Sequence, residues 1–292
     1  MTELDESWLA ANPLPPLTGD TSKNARGRVL AVGGAADVPG ALRLTGEAVL
    51  RVGAGKVRLA TVASAALALG VAFPEAAVLA LPERDGQIGD AAAALAGCCA
   101  HADAVVLGPG MGDHDAAERL VRALAAIEAP DATLVLDAAA VACAGSLAEV
   151  LAPWRGRLVL TPHGGEMAAL CGCDTDAIKA DPHGLATGVA QRYGAVVVLK
   201  DAETVIAAPG GTLLHWAGGG PGLGTGGSGD VLAGAIGGLL ARGLPPLVAA
   251  GWGVWLHGMA GRRLAAEIGT VGFLARELLP LLPRLLTDRS AG

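Results

Sequence analysis

Aromatic and charged residues are scarce in this chain of 292 residues, at 3% and 17% of the total. Glycine, in contrast, occurs 44 times, and hydrophobic residues make up 52%. The composition therefore excludes a disordered chain and indicates a globular one. A core with so few aromatic rings must consist mainly of Ala, Val and Leu, with closely approaching backbones. The length suits one large α/β domain or two small ones.

Basic residues are also few: 21 Lys and Arg stand against 28 Asp and Glu, which gives a formal net charge of -7. This balance argues against a nucleic-acid binder, because such proteins need basic side chains to displace counterions from phosphates. A local glycine-rich site can still bind an anionic small molecule inside an acidic protein.

Targeting and cross-linking signals are missing as well. The start, MTELDESWLA, is acidic and unlike a signal peptide, and the most apolar stretch, residues 65–81, is broken by Pro74 and Glu75. The five cysteines include no CxxC pair and the six histidines no HxxxH pair. We therefore expect a soluble cytoplasmic protein with reduced, buried thiols, no zinc site and no membrane contact.

Short apolar runs alternate with helix-like segments along most of the chain. We predict strands over residues 28–32, 56–62, 76–81, 104–107, 134–137, 158–161 and 195–200, with 203–207 as a hairpin partner, and helices over 41–52, 115–127 and 182–193. This pattern predicts an α/β fold with a mostly parallel sheet and helices on both faces. Residues 1–22 are predicted as a loose leader, because Pro13, Pro15 and Pro16 favour extended backbone, and residues 23–290 as one domain.

Five predicted strands end in unusual sequences: VGGAADVPGA, LGPGMG, LDAAA, LTPHGGE and LKDAET. In a parallel sheet the ligand site lies beyond the carboxyl ends of the strands. We therefore expect these five loops to build one site.

A sixth segment, GGGPGLGTGGSGD at residues 218–230, runs into a predicted helix that stops near Gly243. Its glycines let backbone N–H groups converge, and the start of a helix adds partial positive charge, so the segment predicts an anion hole. It is not a P-loop, because GK[ST] is absent. Its GxGxxG match is weak, since the next acidic residue after Asp230 is the distant Glu267.

Asp230 ends the glycine run and starts the predicted helix. An ionised aspartate beside an anion hole can take a proton from a substrate hydroxyl while the amides stabilise a transferring phosphoryl group. The alternative interpretation is that Asp230 only caps the helix, as aspartates often do.

Together these motifs resemble the ribokinase-like superfamily, and in particular its NAD(P)H-hydrate dehydratase family. GTGGSGDVLAG is similar to the superfamily signature, and LGPGMG, LTPHGGE and LKDAET are similar to the family's GPGxG, TPHxGE and LKGxxT motifs. The resemblance runs from about Lys23 to Leu279 and implies a ribokinase-like three-layer sandwich. It also implies an enzyme that uses Mg²⁺ and ADP or ATP to phosphorylate the ring hydroxyl of (S)-hydrated NADH or NADPH. Loss of phosphate then restores the ring.

The resemblance also implies a role for individual residues. Asp230 would be the catalytic base, and Glu166 would order magnesium through water. The remaining expected contacts are an anion hole of Gly226, Gly227 and Gly229, a nucleotide site of Lys200, Asp201, Ala202, Glu203, Thr204 and Gly229, and a hydrated-cofactor site of Ala41, Gly110, Gly112, His163 and Asp230.

The chain departs from the family pattern at three positions. It has Ala139 where the family has an acidic residue, Asp201 where it has glycine, and Gly220 where it has asparagine. A carboxylate at position 201 would repel a nucleotide phosphate, so either Asp201 points away or the nucleotide preference has shifted.

Plainer structural interpretations also exist for several of these residues. They are a surface position for His163, a solvated charge for Lys200, a helix cap for Glu166, a turn for Asp137, and core packing for Trp252 and Trp255.

Two other functions are compatible with the same loops. A small-molecule kinase of the superfamily, for hydroxyethylthiazole or a sugar, would share the GSGD loop, but TPHGGE favours the dehydratase. A non-catalytic nucleotide-binding protein would fit Ala139 but not the retained Asp230. Because the family often carries a second, epimerising domain, we expect a separate epimerase as partner here. We also expect a homo-oligomer, with a tetramer as one candidate state.

Overall fold

The computed structural model describes residues 1–15, 22–127 and 131–287. Its strands are β1 (Thr2–Glu3), β2 (Arg28–Val32), β3 (Lys56–Val62), β4 (Ala77–Leu81), β5 (Glu83–Arg84), β6 (Gln87–Ile88), β7 (Ala104–Leu107), β8 (Thr133–Leu136), β9 (Leu158–Leu160), β10 (Val196–Leu199), β11 (Thr204–Ala207) and β12 (Leu213–Trp216).

The α-helices come mainly between the strands. They are α1 (Glu6–Ala11), α2 (Ala41–Arg51), α3 (Ala63–Ala72), α4 (Ala92–Cys99), α5 (His114–Ala125), α6 (Ala139–Ala142), α7 (Gly164–Cys171), α8 (Thr175–Ala180), α9 (Pro182–Tyr193), α10 (Ser228–Ala241), α11 (Pro246–Glu267), α12 (Ala275–Leu278) and α13 (Leu281–Thr287). Short 3-10 helices lie at Cys143–Ser146, Ala152–Trp154 and Pro221–Leu223.

One large sheet runs through the described residues in the order β1-β12-β11-β10-β9-β8-β7-β2-β3-β4. Its neighbours pair in parallel except at β11, which is antiparallel to both β10 and β12. The mostly parallel sheet is thus confirmed, as is the hairpin partner after β10. Strands β5 and β6 form a separate two-stranded ribbon.

The sheet separates two hydrophobic cores, because successive side chains of a strand point to opposite faces. In β2, Val29 and Ala31 belong to the core beneath α2, α10 and α11, whereas Leu30 and Val32 belong to the core beneath α5, α7 and α9. Helices therefore cover both faces, which gives the predicted three-layer sandwich.

The start of the chain differs from the predicted loose leader. Strand β1 pairs in parallel with β12, and Leu4 and Leu9 are both buried at 2% exposure. Asp5 caps α1 by accepting a hydrogen bond from the amide of Trp8 at 2.9 Å. Apolar anchoring and this cap outweigh the preference of the prolines that follow, whereas residues 16–21, which include Pro16, lie outside the described residues.

Helix α10 lies at the centre of the molecule because its glycines allow close packing. A Cβ on Gly237 would lie 2.4 Å from Val106 Cγ2 in β7, and one on Gly234 would lie 2.3 Å from the Thr45 carbonyl oxygen in α2. The helix is thereby held against the sheet, with its first turn at the carboxyl ends of the parallel strands.

Several sequence-based expectations about the core are now decided. Trp252 and Trp255 are core residues, each 3% exposed, in an edge-to-face pair with ring centroids 6.0 Å apart.

The five cysteines are free, but only Cys99 is fully buried, and Cys173 is exposed. The expectation of buried thiols was therefore wrong for Cys173, which lies in the short connection between α7 and α8 and reaches the surface. Within the described ranges, no helix combines the length and apolar content needed to cross a membrane.

Candidate active site

The loops that follow β2 and β7 form one side of the site. Gly34 donates its amide hydrogen to the carbonyl oxygen of Pro109 at 2.8 Å, which ties the two loops together. Gly110 has φ +70, and a Cβ on it would lie 2.6 Å from the Cβ of Ala41. The predicted cofactor-binding residues Ala41 and Gly110 are therefore adjacent. Gly112 lies two residues further on, with no other heavy atom within 4 Å of a Cβ placed on it.

The glycine-rich segment turns into α10 at Gly227, which has φ +89. A Cβ there would lie 2.5 Å from Leu44 Cδ1 and 3.2 Å from the Cβ of Ala275, so both conformation and space require glycine. In residues 226–230, the amide of Ser228 donates to the Thr225 carbonyl oxygen, whereas the structure gives no acceptor for the amides of Gly226, Gly227, Gly229 and Asp230.

Four free amides at the start of a long helix can bind an anion. Their positions match the predicted anion hole, and this geometry agrees with the sequence-based interpretation. Gly226 has no heavy atom near a Cβ placed on it, whereas one on Gly229 would lie 3.5 Å from Lys200 Nζ. A cationic nitrogen thus lies directly beside the amides.

Asp230 is the third residue of α10 and not its N-cap, a position occupied by Gly227. The alternative that Asp230 merely caps the helix is therefore not supported. Burial, together with the negative charge of Asp137, raises the pKa of Asp230 to about 7, against the lowering effects of Lys200 and the amide of Gly110. At neutral pH Asp230 is therefore only partly ionised, because removal from water disfavours the charged form. A carboxylate with this pKa is well matched to general-base catalysis.

Lys200, at the end of β10, forms a buried ion pair with Asp137 at the end of β8. Its Nζ lies 2.9 Å from Asp137 Oδ1 and 3.8 Å from Glu166 Oε2. Burial lowers the pKa of Lys200, but Asp137 and Glu166 raise it by more, so it lies above its ordinary value. Thr161 donates to the same Asp137 oxygen at 2.7 Å. Lys200 is therefore an ion-pair partner and not a solvated surface charge, and Asp137 accepts from two side chains and is not merely a turn residue.

The loop after β9 forms a capping box at the start of α7. His163 Nδ1 accepts from the amides of Gly165 and Glu166 at 3.0 and 3.3 Å, and Glu166 Oε2 accepts from the His163 amide at 2.8 Å. The cap interpretation of Glu166 is therefore realised. The loop also extends the sheet by a bridge between His163 and Lys200, so both residues stay at the site.

A cavity of about 500 Å³ opens beside the anion hole. Its lining includes His163, the aromatic ring of Trp216 and most of the predicted nucleotide-binding residues, namely Lys200, Asp201, Ala202, Thr204 and Gly229. Glu203 does not line it: its carboxylate lies 3.0 Å from Nε2 of His215. The side chain of Glu203 thus lies against His215 of β12, and a nucleotide contact at this residue stays a prediction.

Asp201 lies at the cavity and is exposed, with its Oδ1 accepting from the amide of Ala202 at 2.7 Å. Which of the two expectations for this position holds stays a prediction. A larger cavity of about 1150 Å³ lies elsewhere, around α1, the end of α2 and α13, and contains none of the predicted site residues.

Magnesium fits this site only as a companion of the nucleotide. No group of three or more His, Cys, Asp or Glu among the described residues could hold a metal ion by itself. Mg²⁺ typically binds one or two carboxylates together with water and substrate phosphates. Asp137, Glu166 and Asp230 supply carboxylates at the correct edge of the sheet, next to the amides that would hold those phosphates.

One contact in the cavity was missed by the sequence analysis. Ser228, the first residue of α10, places its Oγ 2.8 Å from Nε2 of His257 in α11. Burial lowers the pKa of His257 to about 4. The sequence did contain one signal for this contact, a histidine within an otherwise apolar helical stretch. Its partner could not be predicted, because Ser228 lies 29 residues away and the contact depends on how α10 and α11 pack.

Solved structures define the class of this protein. A ribokinase-like superfamily protein from Enterococcus faecalis is 26% identical with a TM-score of 0.83, covering 98% of this chain and 95% of its own. An ADP/ATP-dependent NAD(P)H-hydrate dehydratase from Bacillus subtilis, co-crystallised with ATP and Mg²⁺, is 26% identical with a TM-score of 0.80 over 98% of each chain. A hydroxyethylthiazole kinase from Pyrococcus horikoshii, at 19% identity and a TM-score of 0.61, shares the fold alone. The fold is ribokinase-like, as predicted.

Sequence comparison then defines the family. The family model described as NAD(P)H-hydrate dehydratase matches residues 29–284. An ADP-dependent (S)-NAD(P)H-hydrate dehydratase from Xanthomonas campestris is 50% identical over 279 residues, or 95% of this chain and 93% of the relative. A bifunctional NAD(P)H-hydrate repair enzyme from Escherichia coli is 37% identical, and the match spans 50% of its length. The chain belongs to the NAD(P)H-hydrate dehydratase family of enzymes.

Proposed function

We propose that this enzyme uses ADP to phosphorylate the ring hydroxyl of (S)-hydrated NADH or NADPH at the Asp230 site, and then releases phosphate to restore the dihydronicotinamide ring. The observation that carries the proposal is a half-buried aspartate with a pKa of about 7, in the same glycine-rich turn as the unpaired amides of Gly226, Gly227 and Gly229. The 50% identity to a relative named as ADP-dependent supports ADP as the phosphoryl donor. ATP, present with the Bacillus subtilis structure, is the second candidate donor.

Asp230 acts as the base in the first step. Its carboxylate takes the proton of the ring hydroxyl as the hydroxyl oxygen attacks the terminal phosphorus, and the bond to the leaving nucleotide phosphate breaks. At neutral pH about half of the Asp230 groups are ionised, since the pKa is about 7. The amide of Gly110 favours the ionised form of Asp230 and so lowers its pKa.

The anion hole stabilises the phosphoryl group in transfer. The free amides of Gly226, Gly227 and Gly229 can donate to its oxygens without reorganisation, because the turn at Gly227 already fixes them. Mg²⁺ bound with the nucleotide would neutralise phosphate charge, held through Asp137 and by Glu166 through water. Lys200 adds a fixed positive charge beside Gly229.

The hydrated cofactor is expected on the other side of Asp230. Ala41, Gly110 and Gly112 offer a surface without bulky side chains, against which a flat ring can lie, and His163 borders it. In the second step the phosphate leaves together with a proton from the neighbouring ring carbon, which forms the double bond. The expected partners are a separate epimerase, which would supply the (S) form, and further copies of this chain in a homo-oligomer.

The test is an assay of purified protein with hydrated NADH or NADPH, Mg²⁺ and either nucleotide, followed by dihydronicotinamide absorbance and by AMP or ADP release. Recovery of absorbance matched by nucleotide turnover is the expected result. The proposal fails if absorbance does not recover with either nucleotide. A stable phosphorylated alcohol with no ring recovery would instead indicate a kinase.

A further inference from the structure

Ser228 and His257 form a hydrogen-bonded pair inside the nucleotide cavity, and nothing in the reaction described above uses it. The Ser228 side chain is only 4% exposed, yet both residues line the cavity. Ser228 does not cap its own helix. Its amide hydrogen is bonded to the carbonyl oxygen of Thr225, so the hydroxyl is the polar group it can present to a ligand.

The imidazole of His257 is held neutral. Burial, together with the nearby positive charge of Lys200, lowers its pKa to about 4, against a smaller raising effect of the Ser228 backbone. A neutral imidazole carries one proton and has one accepting nitrogen. His257 therefore adds no positive charge beside Ser228. Its effect is to orient the Ser228 hydroxyl through their hydrogen bond.

The ligand's chemistry decides how this hydrogen bond is oriented. A hydroxyl has one proton, so if Ser228 donates it to His257, nothing is left to donate to a ligand. If His257 Nε2 carries the proton and donates to Ser228 Oγ, the hydroxyl proton is free. A phosphate oxygen only accepts hydrogen bonds, so a bound phosphate selects the second arrangement.

We infer that Ser228 is a nucleotide-binding residue whose hydroxyl donates to the phosphate chain of a nucleoside diphosphate, and that His257 is a positioning residue that orients this hydroxyl. Ser228 is next to Gly229, whose free amide belongs to the anion hole, and Ser228, Gly229 and His257 all line the same cavity. The inference rests on the proposed function for the identity of the nucleotide.

The experiment compares ADP with adenosine, which lacks the phosphates, in competition titrations with Mg²⁺. Ser228→Ala should weaken ADP binding by about 10- to 150-fold, the range for a hydrogen bond to a charged group. Adenosine binding should change by less than about twofold, because no phosphate contact is lost. A pocket distorted by the substitution would weaken both ligands alike.

Matched variants separate the hydroxyl from the side-chain volume. Ser228→Thr keeps the hydroxyl and should recover most of the ADP affinity. His257→Gln keeps a donor near Nε2 and should stay close to wild type, whereas His257→Leu should behave like Ser228→Ala. Ser146→Ala, at an exposed serine far from the cavity, is the neutral control. Should Ser228→Ala not fold, the His257 pair gives the same comparison.

Unchanged ADP affinity in Ser228→Ala, or equal losses of ADP and adenosine, would overturn the inference. These binding measurements do not require turnover. Absence of ring recovery in the wild type would therefore overturn the proposed function, while the ratio of ADP to adenosine binding would still decide the role of Ser228.

Discussion

The end of β8 and the start of α10 each bring one aspartate into the same site, but the two carboxylates are held in opposite ways. Asp137 is 2% exposed and accepts from both Lys200 Nζ, at 2.9 Å, and Thr161 Oγ1, at 2.7 Å. Asp230 forms no ion pair within the described residues, and the amide of Gly110 lowers its pKa only in part. Without an ion-pair partner, removal from water raises the pKa of Asp230 and suits it to act as a base.

The largest expected effect is that of Asp230→Asn. The substitution preserves size but removes the basic oxygen, so turnover should fall by about 10²- to 10⁴-fold. Nucleotide should still bind, because the anion hole consists of backbone amides. Steady-state kinetics with calorimetric titration checks both, and near-normal turnover would rule out Asp230 as the base.

Lys200→Met tests the paired carboxylate. Removing one partner of a buried ion pair leaves Asp137 uncompensated, so we expect a loss of about 3–5 kcal/mol in the free energy of unfolding. Lys179→Met is the matched control, since Lys179 pairs with Asp176 on the surface, with side chains 70% and 88% exposed. If urea denaturation gave the same small change for both variants, the Lys200–Asp137 pair would not stabilise the fold.

The titration of Asp230 should make both kcat/KM and the free energy of unfolding depend on pH. Activity needs the ionised form, so kcat/KM should rise with pH and level off above about 7. Between the ordinary value of 3.8 and about 7, the folded state keeps a proton that the unfolded state has lost. The contribution of Asp230 to stability therefore falls as pH rises through this window.

Asp230→Asn removes that loss, so its stability relative to wild type should increase as the pH is raised across the same window. Urea denaturation of both proteins at several pH values measures this difference. A difference that does not change with pH would mean that Asp230 titrates at its ordinary value.

The smallest effects are expected at two exposed acidic residues beside Lys200. Asp201 lines the cavity, so Asp201→Asn should tighten ADP binding by about two- to fivefold through relief of repulsion at an exposed site. Glu203→Gln is its control and should leave the affinity unchanged, because Glu203 pairs with His215 instead. Equal effects at both positions would show that only long-range charge matters here.

The sequence predicts most of the sheet and the loops at its edge. Uninterrupted apolar runs such as Val29–Val32 mark buried parallel strands, and the loop sequences after them stand out by their glycines and charges. The short strand β1 was missed because two residues carry no periodic signal and their pairing with β12 is decided by distant contacts. The anchor residues Leu4 and Leu9 are ordinary leucines in the sequence.

The partners of the site residues were harder to predict than the residues themselves. Lys200 was expected along the nucleotide, but its ion pair with Asp137 joins positions 63 residues apart. The pKa of Asp230 depends on burial, which the sequence of its helix does not encode. Residue type and motif indicate which groups lie at the site, whereas burial and neighbouring side chains in the folded protein determine which of these groups are ionised.

The most direct test of this account is the pKa of Asp230 itself. Carboxyl titration by ¹³C nuclear magnetic resonance, with Asp230→Asn to assign the signal, would measure it without reference to catalysis. We predict a midpoint of about 7 for Asp230. A midpoint near the ordinary 3.8 would contradict the claim that an unpaired, half-buried aspartate at the start of α10 is poised as the base.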